Sequence, residues 1–109
     1  MVSIDTKRRN PIFRAISDPT RREILGILRT SEQSVGTIAR NFRMSRPAIS
    51  KHVGILHAAG LVVTHKHGTQ TMCRLNARPL QVVNEWLREY EAFWKDSLQA
   101  LKRHMEEEG

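Results

Sequence analysis

With 109 residues, 39% of them hydrophobic, and one cysteine, the chain is sized for a single modest core without an internal disulfide, as expected in a reducing cytoplasm. No apolar run approaches the roughly 18 residues a membrane helix needs, and the opening MVSIDTKRRN lacks the apolar stretch of a secretory signal. The net charge of +7 is unevenly held: residues 1–78 carry 14 Lys and Arg against 4 Asp and Glu, residues 79–109 only 4 against 7. That predicts a front that meets a polyanion and a tail with another task.

Residues 1–9 read as a flexible polar arm. Pro11–Ile16 reads as a short helix with Ile12, Phe13 and Ile16 facing inward. SDPTRREILGILRT carries a helix start, with Asp18 as N-cap and Pro19 at the first helical position. Its Ile24, Leu25 and Leu28 fall at helical spacing. SVGTIARNF repeats this on a smaller scale: Ser34 can cap, and Val35, Ile38, Ala39 and Phe42 line one face. Arg43–Ser45 is a tight turn, Ser45 caps the next helix with Pro47 in its first turn, and Gly60 ends it. Two short helices joined by a three-residue turn make a helix-turn-helix arrangement.

The second of these helices buries Ile49, Val53 and Leu56 and leaves Arg46, Ser50, Lys51 and Gly54 on the other side. A helix that reads base edges needs short or polar side chains outward and cations near phosphates. Ser45 and Ser50 can bond phosphate or base, Arg46 can fork onto guanine or a phosphate, and Lys51 offers a point charge. Pro47, Ala48 and Gly54 keep the surface low enough for close approach. The stretch therefore reads as a recognition helix.

Next, LVVTHKH and QTMCRLN are strand-like runs hinged at Gly68-Thr69, as in a wing. His65 and His67 share one strand face, where a role near phosphate is expected. Lys66 and Arg74 add cations. Cys73 alternates with Leu75 and reads as core packing, and His57 as a solvated or half-buried side chain. Asn76 is expected to cap one long amphipathic helix over residues 77–107, about 45 Å long. Its apolar stripe runs through Leu80, Val83, Leu87, Tyr90, Trp94, Leu98, Leu101 and Met105, widened by Trp86 and Phe93. Part of that stripe must find a partner outside its own domain. The expected fold is mainly helical with a small β-hairpin, in one domain spanning residues 1–109.

FRAISDPTRREILGIL, SVGTIARNFRMSRPAISKHVGILHAAGLV and the hairpin after them resemble the ArsR family of winged-helix bacterial and archaeal repressors. The likeness runs from about Phe13 to the final helix. It implies a homodimer, joined through its first and last helices, that represses transcription by occupying a palindromic operator in double-stranded DNA. The interface residues expected on that basis are Ile12, Phe13, Trp86, Tyr90, Phe93, Trp94, Leu98 and Leu101. The DNA-binding residues expected are Ser45, Arg46, Pro47, Ala48, Ser50, Lys51 and His52 of the recognition helix and Lys66, His67 and Arg74 of the wing. His52 stands where the family commonly has histidine; packing and backbone contact both remain open for it. The wing departs from the family pattern, with Thr69-Gln70-Thr71 where relatives often carry arginines.

Many relatives sense metals through a Cys-Val-Cys sequence before the turn, which here reads Ser34-Val35-Gly36 and offers no thiolate. Another family site uses histidine with Asp or Glu on the last helix, where this chain has only His104. A dithiol sensor needs a second cysteine. No metal or other cofactor is therefore expected. There is no Gly-rich phosphate loop, no carboxylate pair in a plausible cleft and no nucleophile with a recognisable base, so no enzyme is expected either. The rival readings are an effector- or metal-responsive sensor of the same fold and a winged-helix protein-interaction module without DNA binding. The expected location is the cytoplasm of a prokaryote, at the nucleoid, with no membrane partner.

Overall fold

The computed structural model describes residues 4–108, with side chains from Arg9 onward. In chain order it contains helices α1 (Ile4–Ile16) and α2 (Pro19–Ile27), a short strand β1 (Gln33–Ser34), and helices α3 (Val35–Ala39) and α4 (Arg46–Ala58). Strands β2 (Val62–His67) and β3 (Gln70–Leu75), a 3-10 turn at Arg78–Leu80, and helices α5 (Gln81–Arg88) and α6 (Glu91–Glu108) complete it.

Helices α2, α3 and α4 begin at the caps the sequence predicts. Asp18 Oδ1 accepts from Arg21 N at 3.1 Å, Ser34 Oγ from Thr37 N at 3.1 Å, and Ser45 Oγ from Ala48 N at 3.2 Å. Gly60, at φ +81°, turns the chain out of α4, and Leu61 N bonds back to Leu56 O at 2.9 Å. Strands β2 and β3 pair antiparallel from Val62↔Leu75 to His67↔Gln70, and Gly68 supplies the left-handed φ of +64° at the turn. Strand β1 joins the other edge of β3, opposing Gln33 to Cys73 and Ser34 to Met72, so the sheet order is β1-β3-β2. Two residues are too few to show an alternation, which is why the sequence does not announce β1.

The core is built where the helical spacing puts it. Ile24, Leu25 and Leu28 meet Val35 and Ile38 of α3, Ile49, Val53 and Leu56 of α4, and Leu61, Val62 and Cys73 at the base of the hairpin. Burial pushes the Cys73 thiol pKa up, and nearby Glu32 adds to the effect, so this sulfur stays protonated and packs as a small apolar group.

Three expectations are corrected. Residues 4–9 are the first turns of α1, not an arm, and Pro11 lies inside that helix; Met1–Ser3 fall outside the described residues. Pro11 is exposed, and its missing bond is outweighed by tertiary packing: Ile12 and Ala15 are buried beside it, and Arg9 pairs with Glu89 of α5 at 3.2 Å. For the same reason Ile12, only 4% exposed, belongs to the protomer's own core and not to a free interface.

Residues 77–107 are not one helix. The Asn76 side chain donates to Gly60 O at 3.0 Å, tying the end of β3 to the end of α4, and caps nothing. The chain then breaks between α5 and α6, where Glu89 N bonds Trp86 O, Tyr90 N bonds Leu87 O and Phe93 N bonds Tyr90 O. These three-residue bonds tighten the helix locally. No Gly or Pro marks the break; it coincides with Tyr90 packing edge-on to Trp86 at 5.3 Å. Helix α6 alone spans about 27 Å. Its projection explains a radius of gyration of 18.1 Å, where a compact chain of this length would have about 13 Å.

Candidate nucleic-acid interface

The segment SDPTRREIL forms a joint between three helices. Asp18 caps α2, which turns Arg21 and Arg22 back toward the end of α1. Arg21 donates to Ala15 O at 2.7 Å and Arg14 O at 3.0 Å, and Arg22 donates to Ile16 O at 2.8 Å. The carbonyls that α1 leaves unbonded are thus satisfied by arginines of α2. Arg21 also reaches α4, placing Nη1 3.2 Å from His52 Nδ1. Desolvation pushes the Asp18 carboxyl pKa up, but the Arg21 and Thr20 backbone N–H groups, with His52 and Arg21 charge nearby, outweigh it and hold the pKa below the ordinary value of 3.8.

This joint sets the rotation of α4. Ile49, Val53 and Leu56 face the core, and Arg46, Pro47, Ser50, Lys51 and Gly54 are exposed. The structure brings Ser45, Arg46, Pro47, Ser50 and Lys51 onto one exposed surface. Ala48 lies half-buried at its edge. His52 is turned toward α2, half-buried against Arg21, which gives it a packing role. Ser45 Oγ accepts a bond from its own helix and keeps its hydroxyl proton to donate.

The wing divides its cations. Its register sets Lys66 opposite Thr71 on one face, and His67 opposite Gln70 and Arg74 opposite Val63 on the other. Lys66 Nζ bonds Thr71 Oγ1 at 3.0 Å. His65 lies 2.9 Å from Glu32 Oε1, so it braces the wing against the loop before β1. His67 is exposed beside the turn, whereas Arg74 is exposed near the base of the hairpin, about 13 Å along the strand.

At the positions where relatives carry thiolates, Ser34 is spent capping α3, and Gly36 faces a cation. A Cβ built on Gly36 would lie 3.5 Å from Arg46 Cζ. Among the described residues, no group of three or more His, Cys, Asp or Glu is placed to hold a metal ion. His104 pairs with Glu108 one turn on, at 3.0 Å.

The tail presents the opposite surface. Phe13 of α1 packs edge-on to Trp86 at 5.4 Å, and Tyr90 continues the cluster toward Phe93. Phe93 is 83% exposed, and Trp86, Tyr90, Trp94, Leu98, Leu101 and Met105 are all exposed along α5 and α6. No helix of the described residues is long and apolar enough to cross a membrane.

The signal the sequence reading passed over lies in Arg21 and Arg22. Two arginines in the first turn after a capping aspartate have their partners at the end of the preceding helix, and a chain end three residues upstream is what they reach for. Arg40, Thr37 and Gln70, which share a groove with Arg46, were likewise hidden, because the wing turn and α3 are far apart in sequence.

Comparison with known proteins agrees with this architecture. Residues 18–64, which hold α2 to the start of the wing, match the family described as "Bacterial regulatory protein, arsR family". The transcriptional repressor SdpR of Bacillus subtilis is 41% identical over 78 residues, covering 72% of this chain and 87% of that protein. The HTH-type transcriptional regulator Rv2034 of Mycobacterium tuberculosis is 32% identical over 97 residues, covering 89% and 88%. The arsenical resistance operon repressor of Staphylococcus xylosus is 34% identical over 79 residues, covering 72% and 76%. Among solved structures, an ArsR family transcriptional regulator superposes with a TM-score of 0.77 at 35% identity, covering 87% of this chain and 97% of its own. An ArsR-like regulator from Rhodococcus sp. RHA1 gives 0.67 at 35% identity, with 89% and 92% covered. The chain belongs to the ArsR family of winged helix-turn-helix transcriptional regulators.

Proposed function

We propose that the protein is a homodimeric repressor that occupies a palindromic operator in double-stranded DNA, working without a metal in the prokaryotic cytoplasm, at the nucleoid. The observation that carries this is the exposed face of α4: Ser45, Arg46, Pro47, Ser50 and Lys51 stand together on a capped helix whose opposite side is locked in the core. Such a face offers donors to base edges and cations to phosphates. His67 and Arg74 would extend it along the wing. Relatives named as repressors support the regulatory direction.

The dimer reading rests on the tail. Phe13, Trp86, Tyr90, Phe93, Trp94, Leu98 and Leu101 make an apolar face that this protomer leaves uncovered. A second copy supplying the same face would bury it by two-fold symmetry and set two α4 helices about one DNA turn apart, roughly 34–36 Å.

The test is selection of bound fragments from the source genome with purified protein, followed by gel shift against a scrambled duplex and sedimentation of both states. A palindromic fragment bound as one dimer, equally well with and without chelator, is the expected outcome. Equal affinity for selected and scrambled duplexes would overturn the repressor reading, and loss of binding on chelation would overturn its metal independence.

A further inference from the structure

Many of the cations are already committed inside the protomer. Arg9 pairs with Glu89, Arg21 and Arg22 hold the end of α1, and Lys66 bonds across the hairpin. Arg40 and Arg46 are different. Among the described residues neither makes an ion pair, and both line one groove of about 680 Å³ between α3, the first residue of α4 and the wing turn. The rest of that groove is neutral and rich in donors, with Ser34, Thr37, Thr69 and Gln70, and it contains no carboxylate.

Two details give the groove a chemical preference. Ser34 Oγ accepts from Thr37 N and donates to Thr37 Oγ1 at 2.9 Å, so the exposed Thr37 hydroxyl has an acceptor site filled and keeps its proton to give. Gly36 leaves its side-chain space empty, and the Arg46 guanidinium lies there, 3.5 Å from where a Cβ would stand. Arg46 thus leans back over α3, toward Arg40, instead of extending from α4. Two guanidiniums with hydroxyl and amide donors around them suit an oxyanion with several acceptor oxygens.

We infer that this groove seats a phosphodiester of the DNA backbone, and that Arg46 and Arg40 grip that phosphate, so Arg46 positions the protein and does not read a base. The inference rests on the DNA-binding reading above. A backbone phosphate is favoured over a free anion because the groove is bounded by α4 on one side and by the wing turn on the other. A duplex lying across both elements passes its backbone over the gap.

The experiment measures fluorescence anisotropy of the selected operator and of a random duplex of equal length, across a salt series, with wild type, Arg40→Ala, Arg46→Ala and Gly36→Val. Each arginine variant should weaken operator and random duplex by the same factor and flatten the slope of log K against log salt by about 0.9. The deficit of each should therefore shrink about threefold between 50 and 200 mM salt. Gly36→Val, which keeps every charge but takes the space Arg46 occupies, should lose affinity for both duplexes while its melting transition stays cooperative. Single-base operator variants should show unchanged preference at every position in Arg46→Ala. Relaxed preference at one base pair would overturn the inference by assigning Arg46 to a base, and unchanged slopes in both arginine variants would show that no phosphate sits there. Inorganic phosphate titrated into DNA-free protein supplies the last arm. Tight uptake that perturbs both arginine side chains and releases DNA would make the groove a small-anion site and overturn the backbone assignment. Equal wild-type binding of operator and random duplex would defeat the repressor reading alone, since the slopes on random duplex still test the groove.

Discussion

Residues 18–75 and residues 81–108 are both helical and amphipathic for much of their length, yet they end in opposite states. In the first region Ile24, Ile38, Ile49, Leu56 and Val62 have no exposed surface to speak of, and the polar side chains are what solvent meets. In the second, no residue is buried, and Phe93, Leu98, Leu101 and Met105 are more than half exposed. The balance of charge follows the same division, basic in front and acidic behind. A region that consumes its own apolar surface is left to act through polar groups, whereas one that does not must act through a partner.

The sharpest way to break that comparison is to put a charge into the tail. Trp94→Asp in a dimer removes two buried aromatics, each contributing about 1.5–3 kcal/mol, and adds a desolvation cost. Sedimentation should show monomers, and operator binding should be lost although no DNA-facing residue has changed. A wild-type protein that is monomeric at micromolar concentration, yet binds its operator tightly, would refute the division. Ile49→Ala probes the other side: it opens a cavity in the protomer core and should cost about 2–5 kcal/mol. Its loss of melting temperature should not depend on protein concentration, while that of Leu98→Ala should.

Arg21→Ala addresses the joint between the regions. It leaves the Ala15 and Arg14 carbonyls and His52 without their donor, which should cost about 1–3 kcal/mol in thermal stability. It should also weaken operator binding, because α4 loses its tether to α2. Arg21→Lys, which keeps the charge but not the fork, should recover only part of both. Normal operator affinity in Arg21→Ala would show that core packing alone sets the angle of α4.

The smallest effect expected is at the Asp18 cap, and it appears as a pH dependence. The folded state holds the Asp18 pKa below its ordinary value, so the cap's contribution is present above about pH 3.8 and is lost as the pH falls through the folded pKa. Asp18→Asn should remove that part of the acid limb while leaving the neutral-pH melt nearly unchanged. An identical acid limb in the two proteins would show that Asp18 does not titrate with folding.

Much of the DNA-facing half was legible before any coordinates, because caps and helical spacing are local properties. Asp18, Ser34 and Ser45 act on N–H groups three residues away, and Gly60 and Gly68 supply backbone angles that no neighbour can provide. What the sequence alone decided was therefore where helices start, which residues face the core, and that the basic region is the one with a reading surface. Only the tertiary structure decided the rest. It drew α1 back through Pro11, because Ile12, Ala15 and Arg9 find their partners only in the folded chain. It turned Asn76 to Gly60 and His52 to Arg21, and it split the tail at Tyr90, where aromatic packing did what no Gly or Pro announced. It also brought Arg46 over Gly36 and beside Arg40, Thr69 and Gln70, a grouping of α3, α4 and the wing that sequence spacing cannot express. Each of these depends on long side chains meeting atoms from another element, and such meetings are fixed by how the core packs.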